Sequence, residues 1–281
     1  MAQLYSLNTG YFGLDGGAMF GVVPRVLWQR EHQPDEQNRI HLAMRVLLIK
    51  DGDRTILVDT GLGDWHNEKF VRTYAVQNNG FDFDTALAPF DTSSDCITDL
   101  VISHLHFDHA AGLIRNGPTG PIAAFTRARI WMQQKHWLWA RLPCARDRAS
   151  FLRPYIDMLD AYDCLELVDG DEQISDSVSI AVVNGHTPGM QIVNIRSDAG
   201  TALFVSDLVP TASHLRIPYI MAYDNEPIMA TAEKENILTQ ACQHQWTLFF
   251  PHDPIHASGR ITKQNDQFCL KPATEPSGNS L

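Results

Sequence analysis

The chain has 281 residues, of which 44% are hydrophobic and 20% are charged, and its formal net charge is −11 at pH 7. This composition is that of an ordinary globular protein, and it excludes a collagen, a coiled coil and a chain that is disordered throughout. A negative charge of this size repels phosphate backbones, so no nucleic-acid partner is expected.

The cysteines and the N-terminus bear on where the protein works. The five cysteines are scattered and include no C-x-x-C pair, which argues against a disulfide framework and against a thiolate zinc site. The N-terminus lacks a basic segment followed by an apolar one, and no apolar run approaches the roughly 20 residues that span a bilayer. We therefore expect a cytoplasmic protein with no membrane partner.

Apolar runs and turn residues predict alternating strands and helices along the chain. A hairpin comes first, with strands 41–50 and 55–59 around the turn Asp51-Gly52-Asp53. Further strands are predicted at 99–103, 128–132, 179–184, 191–196, 202–206 and 247–250, and helices at 133–141, 151–162 and 226–243. This alternation favours sheets and helices packed in layers.

The C-terminal end differs from the rest of the chain. Residues 271–281 are polar and contain Pro, Gly, Ser and Asn, so a disordered tail is predicted there. Residues 1–270 are expected to form a single domain.

The most informative segment follows the predicted strand 99–103. His104, His106, Asp108 and His109 form the pattern H-x-H-x-D-H. In a chain of this composition the pattern arises by chance with a likelihood of about two in a thousand. Alternating His104 and His106 point to one side of an extended loop while Asp108 and His109 turn to a neighbouring position, an arrangement that suits two adjacent metal ions.

Three further residues lie where a metal site needs them. His186 lies in the turn Gly-His-Thr-Pro-Gly between two predicted strands, and His252 follows the strand 247–250. Asp207 ends the strand 202–206, where an acid without a partner would be unfavourable in a core. We expect all three side chains to join the histidine cluster.

These segments together resemble the metallo-β-lactamase fold superfamily, over roughly residues 46–254. The resemblance rests on Leu-Val-Asp-Thr-Gly at 57–61, on H-x-H-x-D-H, and on the segments around His186, Asp207 and His252. It implies an α/β (α+β) fold built as a four-layer αββα sandwich. It also implies a dinuclear metal site at one edge of the paired sheets.

The resemblance assigns a role to each matched residue. Asp59 corresponds to an acid that steadies the histidine loop. His104, His106 and His186 would hold the first metal, Asp108, His109 and His252 the second, and Asp207 would bridge both. The cofactors are expected to be two divalent metal ions, with zinc as the first choice and iron, manganese or cobalt as alternatives.

The expected chemistry is hydrolysis of a small molecule. A hydroxide bridging the metals would attack a small neutral lactone, ester or phosphotriester, as in the lactonases and organophosphate hydrolases that the chain resembles. Asp108 is the candidate for protonating the leaving group. His214, on the loop that leaves Asp207, is a second candidate for contacting substrate.

Two departures narrow the choice among relatives. Leu105 stands where the diiron oxygen-reducing members carry a glutamate, which disfavours a diiron oxidoreductase. Pro210 stands where acyl-homoserine lactonases carry a tyrosine, which puts that substrate in doubt, although Tyr219 or Tyr223 could supply a phenol from another direction. Two alternatives stay open: a mononuclear iron oxidoreductase resembling persulfide dioxygenases, and a non-catalytic ligand-binding protein on the same fold. A homodimer is also left open.

Large aromatic rings are concentrated between the first motif and His186. They form either a pocket lid or part of the core, and packing in the core is the favoured interpretation. The rings are Phe125, Trp131, Trp137, Trp139, Phe151 and Tyr155.

Overall fold

Two mixed sheets form the centre of the molecule. The computed structural model describes residues 1–78 and 80–272. The first sheet has the strand order β1-β2-β3-β4-β7-β8, and the second has the order β15-β14-β13-β12-β11-β10-β9. A separate hairpin is formed by β5 and β6. The strands are β1 (Gln3–Asp15), β2 (Arg39–Asp51), β3 (Arg54–Val58), β4 (Asp99–Val101), β5 (Ile114–Gly117), β6 (Gly120–Ala123), β7 (Arg129–Gln133), β8 (Leu165–Val168), β9 (Glu172–Gln173), β10 (Val178–Val183), β11 (Met190–Ser197), β12 (Gly200–Phe204), β13 (Thr247–Phe249), β14 (Ser258–Gln264) and β15 (Gln267–Pro272).

The helices are short except for one near the C-terminus. They are α1 (Gly16–Phe20), α2 (Arg25–Trp28), α3 (Glu68–Thr73), α4 (Phe83–Leu87), α5 (Phe107–Ala110), α6 (Gln134–Arg141), α7 (Arg153–Asp160) and α8 (Pro227–His244). In α7, Pro154 occupies the second helical position, where its missing N–H costs no intrahelical bond. The helix predicted at 151–162 is present as α7, which is shorter at both ends.

Three clusters of buried side chains define four layers. The middle cluster lies between the sheets and joins residues such as Ile56 of β3 to Ile195 of β11. A second cluster packs the other face of the first sheet against α6 and α7, through Trp137 and Tyr155. A third packs the second sheet against α8, through residues such as Leu238. The order helix, sheet, sheet, helix confirms the predicted αββα sandwich.

Strands that end at the same edge of this sandwich carry the loops of interest. In the first sheet β3, β4 and β7 run parallel, and in the second sheet β12 and β13 run parallel. Because parallel strands have their carboxyl ends at one edge, the loops after β4, β12 and β13 converge there.

Three long strands were not predicted. β1 carries a register shift between Asn8 and Tyr11, and Gly10 there has a φ of +136°. A Cβ at Gly10 would lie 2.8 Å from the Asn78 Cα, so only glycine fits. β14 and β15 form a hairpin whose turn residues Asn265 and Asp266 both have positive φ.

The predicted disordered tail falls mostly outside the described residues. Lys271 and Pro272 belong to β15, and residues 273–281 are not described. Among the described residues, no helix is long and apolar enough to cross a membrane.

Candidate metal centre

The seven predicted metal ligands come together at the edge where the loops converge. His104 and His106 lie in the loop after β4, and Asp108 and His109 lie in α5. His186 lies between β10 and β11. Asp207 and His252 follow β12 and β13, respectively. All seven side chains are buried, with at most 8% of any residue exposed.

The ligand atoms form two groups that share one carboxylate. The first group is His104, His106, His186 and Asp207, and the second group is Asp108, His109, Asp207 and His252. Within each group the candidate ligand atoms lie within 4.8 Å of one another.

Asp207 directs one oxygen to each group. Its Oδ2 lies 3.4 Å from the His186 Nε2, while its Oδ1 lies 3.2 Å from the His109 Nε2 and 3.1 Å from the His252 Nε2. Asp207 thus lies between the two groups and presents one carboxylate oxygen to each.

Hydrogen bonds on the outer side of three imidazoles fix their tautomers. The Nδ1 of His109 donates to the Asp59 carboxylate, that of His186 to the Asp224 carboxylate, and each bond is 2.8 Å long. The Nδ1 of His252 donates to the Ala43 carbonyl at 2.8 Å. With the proton on Nδ1, the Nε2 of each ring presents a lone pair to the centre.

The contacts inside the centre fit cations. The Nε2 atoms of His109 and His252 are 3.0 Å apart, so two lone pairs face each other unless a proton or a metal ion lies between them. The His104 Nε2 and the Asp207 Oδ1 are buried without a hydrogen-bond partner. A buried polar atom without a partner is costly, and metal coordination would satisfy both atoms. Imidazole and carboxylate are ligands that zinc and other divalent transition metals accept.

The imidazoles of the centre differ in their affinity for protons. Burial and the neighbouring imidazoles hold the pKa values of His104 and His106 well below the usual range. Burial also acts to lower the pKa of His109, but the carboxylates of Asp207, Asp108 and Asp59 outweigh it and raise that pKa well above the usual range. Burial also acts to lower the pKa of His186, but its hydrogen bond to the Asp224 carboxylate and the nearby Asp207 raise that pKa above the usual range. Positive charge is therefore attracted most strongly to the imidazoles that face carboxylates, which occur in both groups.

The histidine loop is steadied by Asp59, as predicted for this acid. Its Oδ1 accepts from the Ser103 backbone N–H at 2.7 Å, and its Oδ2 accepts from the Ser103 hydroxyl as well as from His109. One carboxylate thus fixes both the start of the loop and a ligand on α5.

The loop of His186 is held by residues that the sequence analysis did not select. Glu233 of α8 accepts hydrogen bonds from the backbone N–H groups of Asn184 and Gly185 at 2.8 and 2.9 Å. A Cβ at Gly185 would lie 2.3 Å from the Ala230 backbone, so glycine is required for this close approach. Neither Glu233 nor Asp224 lies in a recognisable motif, and no pattern in the sequence identifies them.

His136 joins the two histidine loops. Its Nε2 accepts from the Leu105 N–H at 2.7 Å, and its Nδ1 donates to the Pro188 carbonyl at 2.9 Å. Burial lowers its pKa to about 4, so the ring is neutral and can accept and donate at once. The sequence analysis did not select His136 as a site residue. Its two hydrogen bonds connect the loop of His104 and His106 to the loop of His186.

A cavity of about 140 Å³ opens onto the metal centre. Five ligands form one side of it, and the rest of the wall is mostly apolar or aromatic, with a single cationic side chain. The ligands are His106, Asp108, His186, Asp207 and His252, and the wall residues are Leu14, Met19, Tyr74, Phe107, Arg146, Ala149, Ser150, Met221 and Tyr223. Asp108 and Tyr223 face the cavity, as substrate-contacting residues must, whereas Tyr219 does not line it.

The predicted role of His214 in contacting substrate is corrected by its contacts. Its Nδ1 accepts from the Thr211 hydroxyl at 2.7 Å, and its Nε2 donates to the Met19 carbonyl at 2.8 Å. The ring is buried, stacks on Phe20 at 4.9 Å and does not line the cavity. Both nitrogens are occupied by the protein, so His214 supports the wall from behind.

The aromatic segment belongs to the core. Phe125, Trp137, Phe151 and Tyr155 are buried in the cluster beneath α6 and α7, and none of them lines the cavity. The Tyr155 hydroxyl donates to the Leu105 carbonyl at 2.6 Å, so this ring braces the histidine loop from the core.

Comparisons with known proteins agree with this geometry. The family profile of the metallo-beta-lactamase superfamily matches residues 45–262. An N-acyl homoserine lactonase of Bacillus cereus is 26% identical over 236 residues, which cover 77% of this chain and 83% of the relative.

Solved structures give the same result for the fold. A probable metal-dependent hydrolase from Staphylococcus aureus is 27% identical and superposes with a TM-score of 0.86, covering 97% of this chain and 98% of that one. A dizinc quorum-quenching lactonase in complex with a product superposes with a TM-score of 0.79 over 98% of this chain and 96% of that one. At 20% identity, this second likeness concerns the fold alone.

Proposed function

The chain belongs to the metallo-beta-lactamase superfamily as one of its hydrolases, and we propose that it uses two metal ions to hydrolyse a small lactone, ester or phosphotriester. One observation carries the proposal: two groups of buried ligands share Asp207 at the side of a cavity.

The residues divide between the two metal ions as the two groups do. His104, His106 and His186 would hold one ion, Asp108, His109 and His252 the other, and Asp207 both. Zinc is the metal that we propose. A pair of bound divalent ions supplies an activated water and polarises a carbonyl or phosphoryl oxygen.

The side chains around the metal positions supply charge and a route for protons. Two carboxylates among the seven ligands neutralise half of the charge of two divalent ions, so the loaded centre stays positive towards an electron-rich substrate oxygen. Asp108 both belongs to the second group and lines the cavity, and it is our candidate for delivering a proton to the leaving group.

The cavity wall supports a substrate with an apolar part. Leu14, Met19, Phe107 and Met221 provide apolar surface, which suits an acyl or aryl group. The relationship to the Bacillus cereus lactonase supports a lactone as the first substrate to test. Pro210, three residues after Asp207, leaves the substrate class wider than acyl-homoserine lactones.

Metal counting combined with a hydrolysis screen tests the proposal. The purified protein is stripped with a chelator, refilled with zinc, iron, manganese or cobalt, and assayed on γ- and δ-lactones, aryl esters and phosphotriesters. We expect two metal ions per chain and hydrolysis that returns with the second equivalent. His252→Ala should lose one ion and the activity, while His244→Ala, a change of an exposed histidine outside the site, should lose neither.

Two results would contradict the proposal. A single iron per chain with oxygen consumption on a thiol substrate would identify an oxygenase. Two bound metal ions without turnover of any substrate would indicate a ligand-binding protein.

A further inference from the structure

One wall of the cavity is formed by the loop between α6 and α7. Arg146 lies in this loop and lines the cavity together with Ala149 and Ser150. It is the one cationic side chain among the lining residues of a chain whose net charge is −11.

Two backbone carbonyls fix the guanidinium in place. The Nη2 of Arg146 donates to the Ala222 carbonyl and, at 3.2 Å, to the Asp224 carbonyl. These two residues flank Tyr223, which lines the same cavity. Arg146 is exposed, and these two hydrogen bonds hold its guanidinium at a defined position in the wall.

No carboxylate neutralises this arginine. Among the described residues, no acidic oxygen lies within 4.0 Å of its nitrogens. The neighbouring Asp147 instead accepts from the Trp139 indole and the Asn225 amide at 2.7 and 2.8 Å. The carboxylate of Asp224 is directed to His186 and to the Met221 N–H.

The unpaired guanidinium retains most of its binding capacity. A guanidinium has five N–H donors, and the two carbonyls use those of Nη2, so one donor on Nε and two on Nη1 remain, pointing in different directions. Each remaining side can give a carboxylate a charge-assisted hydrogen bond, and the uncompensated charge favours a carboxylate over any neutral group.

We propose that Arg146 binds a carboxylate that the substrate carries away from its reacting lactone or ester group. The proposal rests on the hydrolase function proposed above and makes it more specific, since it names an anionic class of substrate. The apolar side chains of Met19 and Met221 line the same cavity and would cover the substrate between its carboxylate and the metal centre.

A matched pair of lactones tests the proposal. The two compounds differ only in a tail that ends in a carboxylate or in the uncharged carboxamide. We expect kcat/KM to favour the carboxylate by about tenfold or more, which is the usual strength of a hydrogen bond between charged groups. Arg146→Gln should abolish this preference by slowing the carboxylate lactone much more than the carboxamide lactone, and the metal content should stay at the wild-type value.

Two further variants separate recognition from packing. Arg148→Gln makes the same change of charge at an exposed position in the same loop that does not line the cavity, and it should keep the preference. Arg146→Lys keeps the charge but places its donors differently, and it should keep part of the preference. An equal loss on both lactones in Arg146→Gln would overturn the proposal, because Arg146 would then act only as a clamp on residues 222–224.

A binding measurement keeps the test independent of turnover. The corresponding lactams, which resist hydrolysis, are titrated into the wild type and into Arg146→Gln by calorimetry. Tighter binding of the carboxylate lactam that depends on Arg146 supports the proposal. Equal binding of the two lactams by the wild type overturns it. Hydrolysis of the carboxamide lactone reports separately on the hydrolase function, so the two proposals fail in different ways.

Discussion

The candidate metal centre and the cavity wall differ in how many of their polar groups have a hydrogen-bond partner within the protein. In the centre, the outer nitrogens of His109, His186 and His252 each have a protein partner. In the wall, the hydroxyl of Tyr223 and the spare N–H groups of Arg146 have none within the described part of the chain. The centre is therefore organised before a substrate arrives, whereas the wall keeps hydrogen-bonding capacity for the substrate itself.

This difference predicts two kinds of mutational effect. A change in the centre should alter metal content and should lower the rate with every substrate by the same factor. A change in the wall should leave metal content intact and alter the choice among substrates.

Asp207→Asn should have the largest effect. The carboxylate faces both groups, so the amide weakens both metal positions, and we expect the rate to fall by about a thousandfold or more. Elemental analysis and kinetics on two unrelated substrates measure this. Asp198→Asn, the same change at an exposed residue outside the site, is the control. Two tightly bound metal ions and normal turnover in Asp207→Asn would remove the bridging assignment.

Asp224→Asn should weaken the first group alone. The carboxylate orients His186 through its Nδ1 and increases the basicity of the Nε2, and loss of such a partner lowers metal affinity by about 10- to 100-fold. Competition with a chelator measures that affinity. Loss of the second ion before the first would contradict the assignment of Asp224 to the first group. An effect on only one substrate would show that Asp224 acts in substrate binding and not in metal binding.

Tyr223→Phe should give a smaller effect that depends on the substrate. Tyr223 lines the cavity and its hydroxyl has no hydrogen-bond partner among the described residues, so removing the hydroxyl costs the protein little. A hydrogen bond to substrate would be worth about two- to tenfold in kcat/KM. Tyr11→Phe, in β1 and away from the cavity, is the matched control. A drop in metal content would show that Tyr223 belongs to the centre instead.

The convergence of the seven candidate ligands was predictable from sequence because they lie in short local patterns at strand ends. H-x-H-x-D-H places three imidazoles and a carboxylate on one loop, and the turn around His186 is marked by glycine and proline. Asp224 and Glu233 were missed because they reach the His186 loop from a separate segment, 38 and 49 residues further along the chain. Only tertiary packing brings them there.

The same reasoning explains the successes and failures in the fold. Apolar strands such as β11 and the long helix α8 are visible as periodic patterns. β1 was missed because Asn8, Gly10 and Gly13 resemble turn residues, although they lie in a bulged strand. His214 was selected because it follows Asp207 closely in sequence, but a 3-10 turn directs its ring behind the wall.

His214→Gln should leave catalysis nearly unchanged while altering how stability depends on pH. Burial lowers the pKa of His214 to about 3, despite the hydrogen bond to the Met19 carbonyl. The unfolded chain, with an ordinary pKa of about 6.5, takes up a proton first as the pH falls. The stability contributed by the neutral ring is therefore present above pH 6.5, and it is lost as the pH falls towards 3.

The expected size of this effect makes it measurable. Between pH 7 and pH 5 a single group with this shift removes about 2 kcal/mol from the free energy of unfolding. Glutamine does not titrate, so the difference between wild type and variant should shrink by that amount. Urea unfolding in the presence of a chelator measures it, because metal binding is then removed from both proteins and the other buried histidines cancel. A stability difference that stays constant with pH would contradict the lowered pKa of His214. A large loss of activity at neutral pH would show that His214 contacts substrate after all.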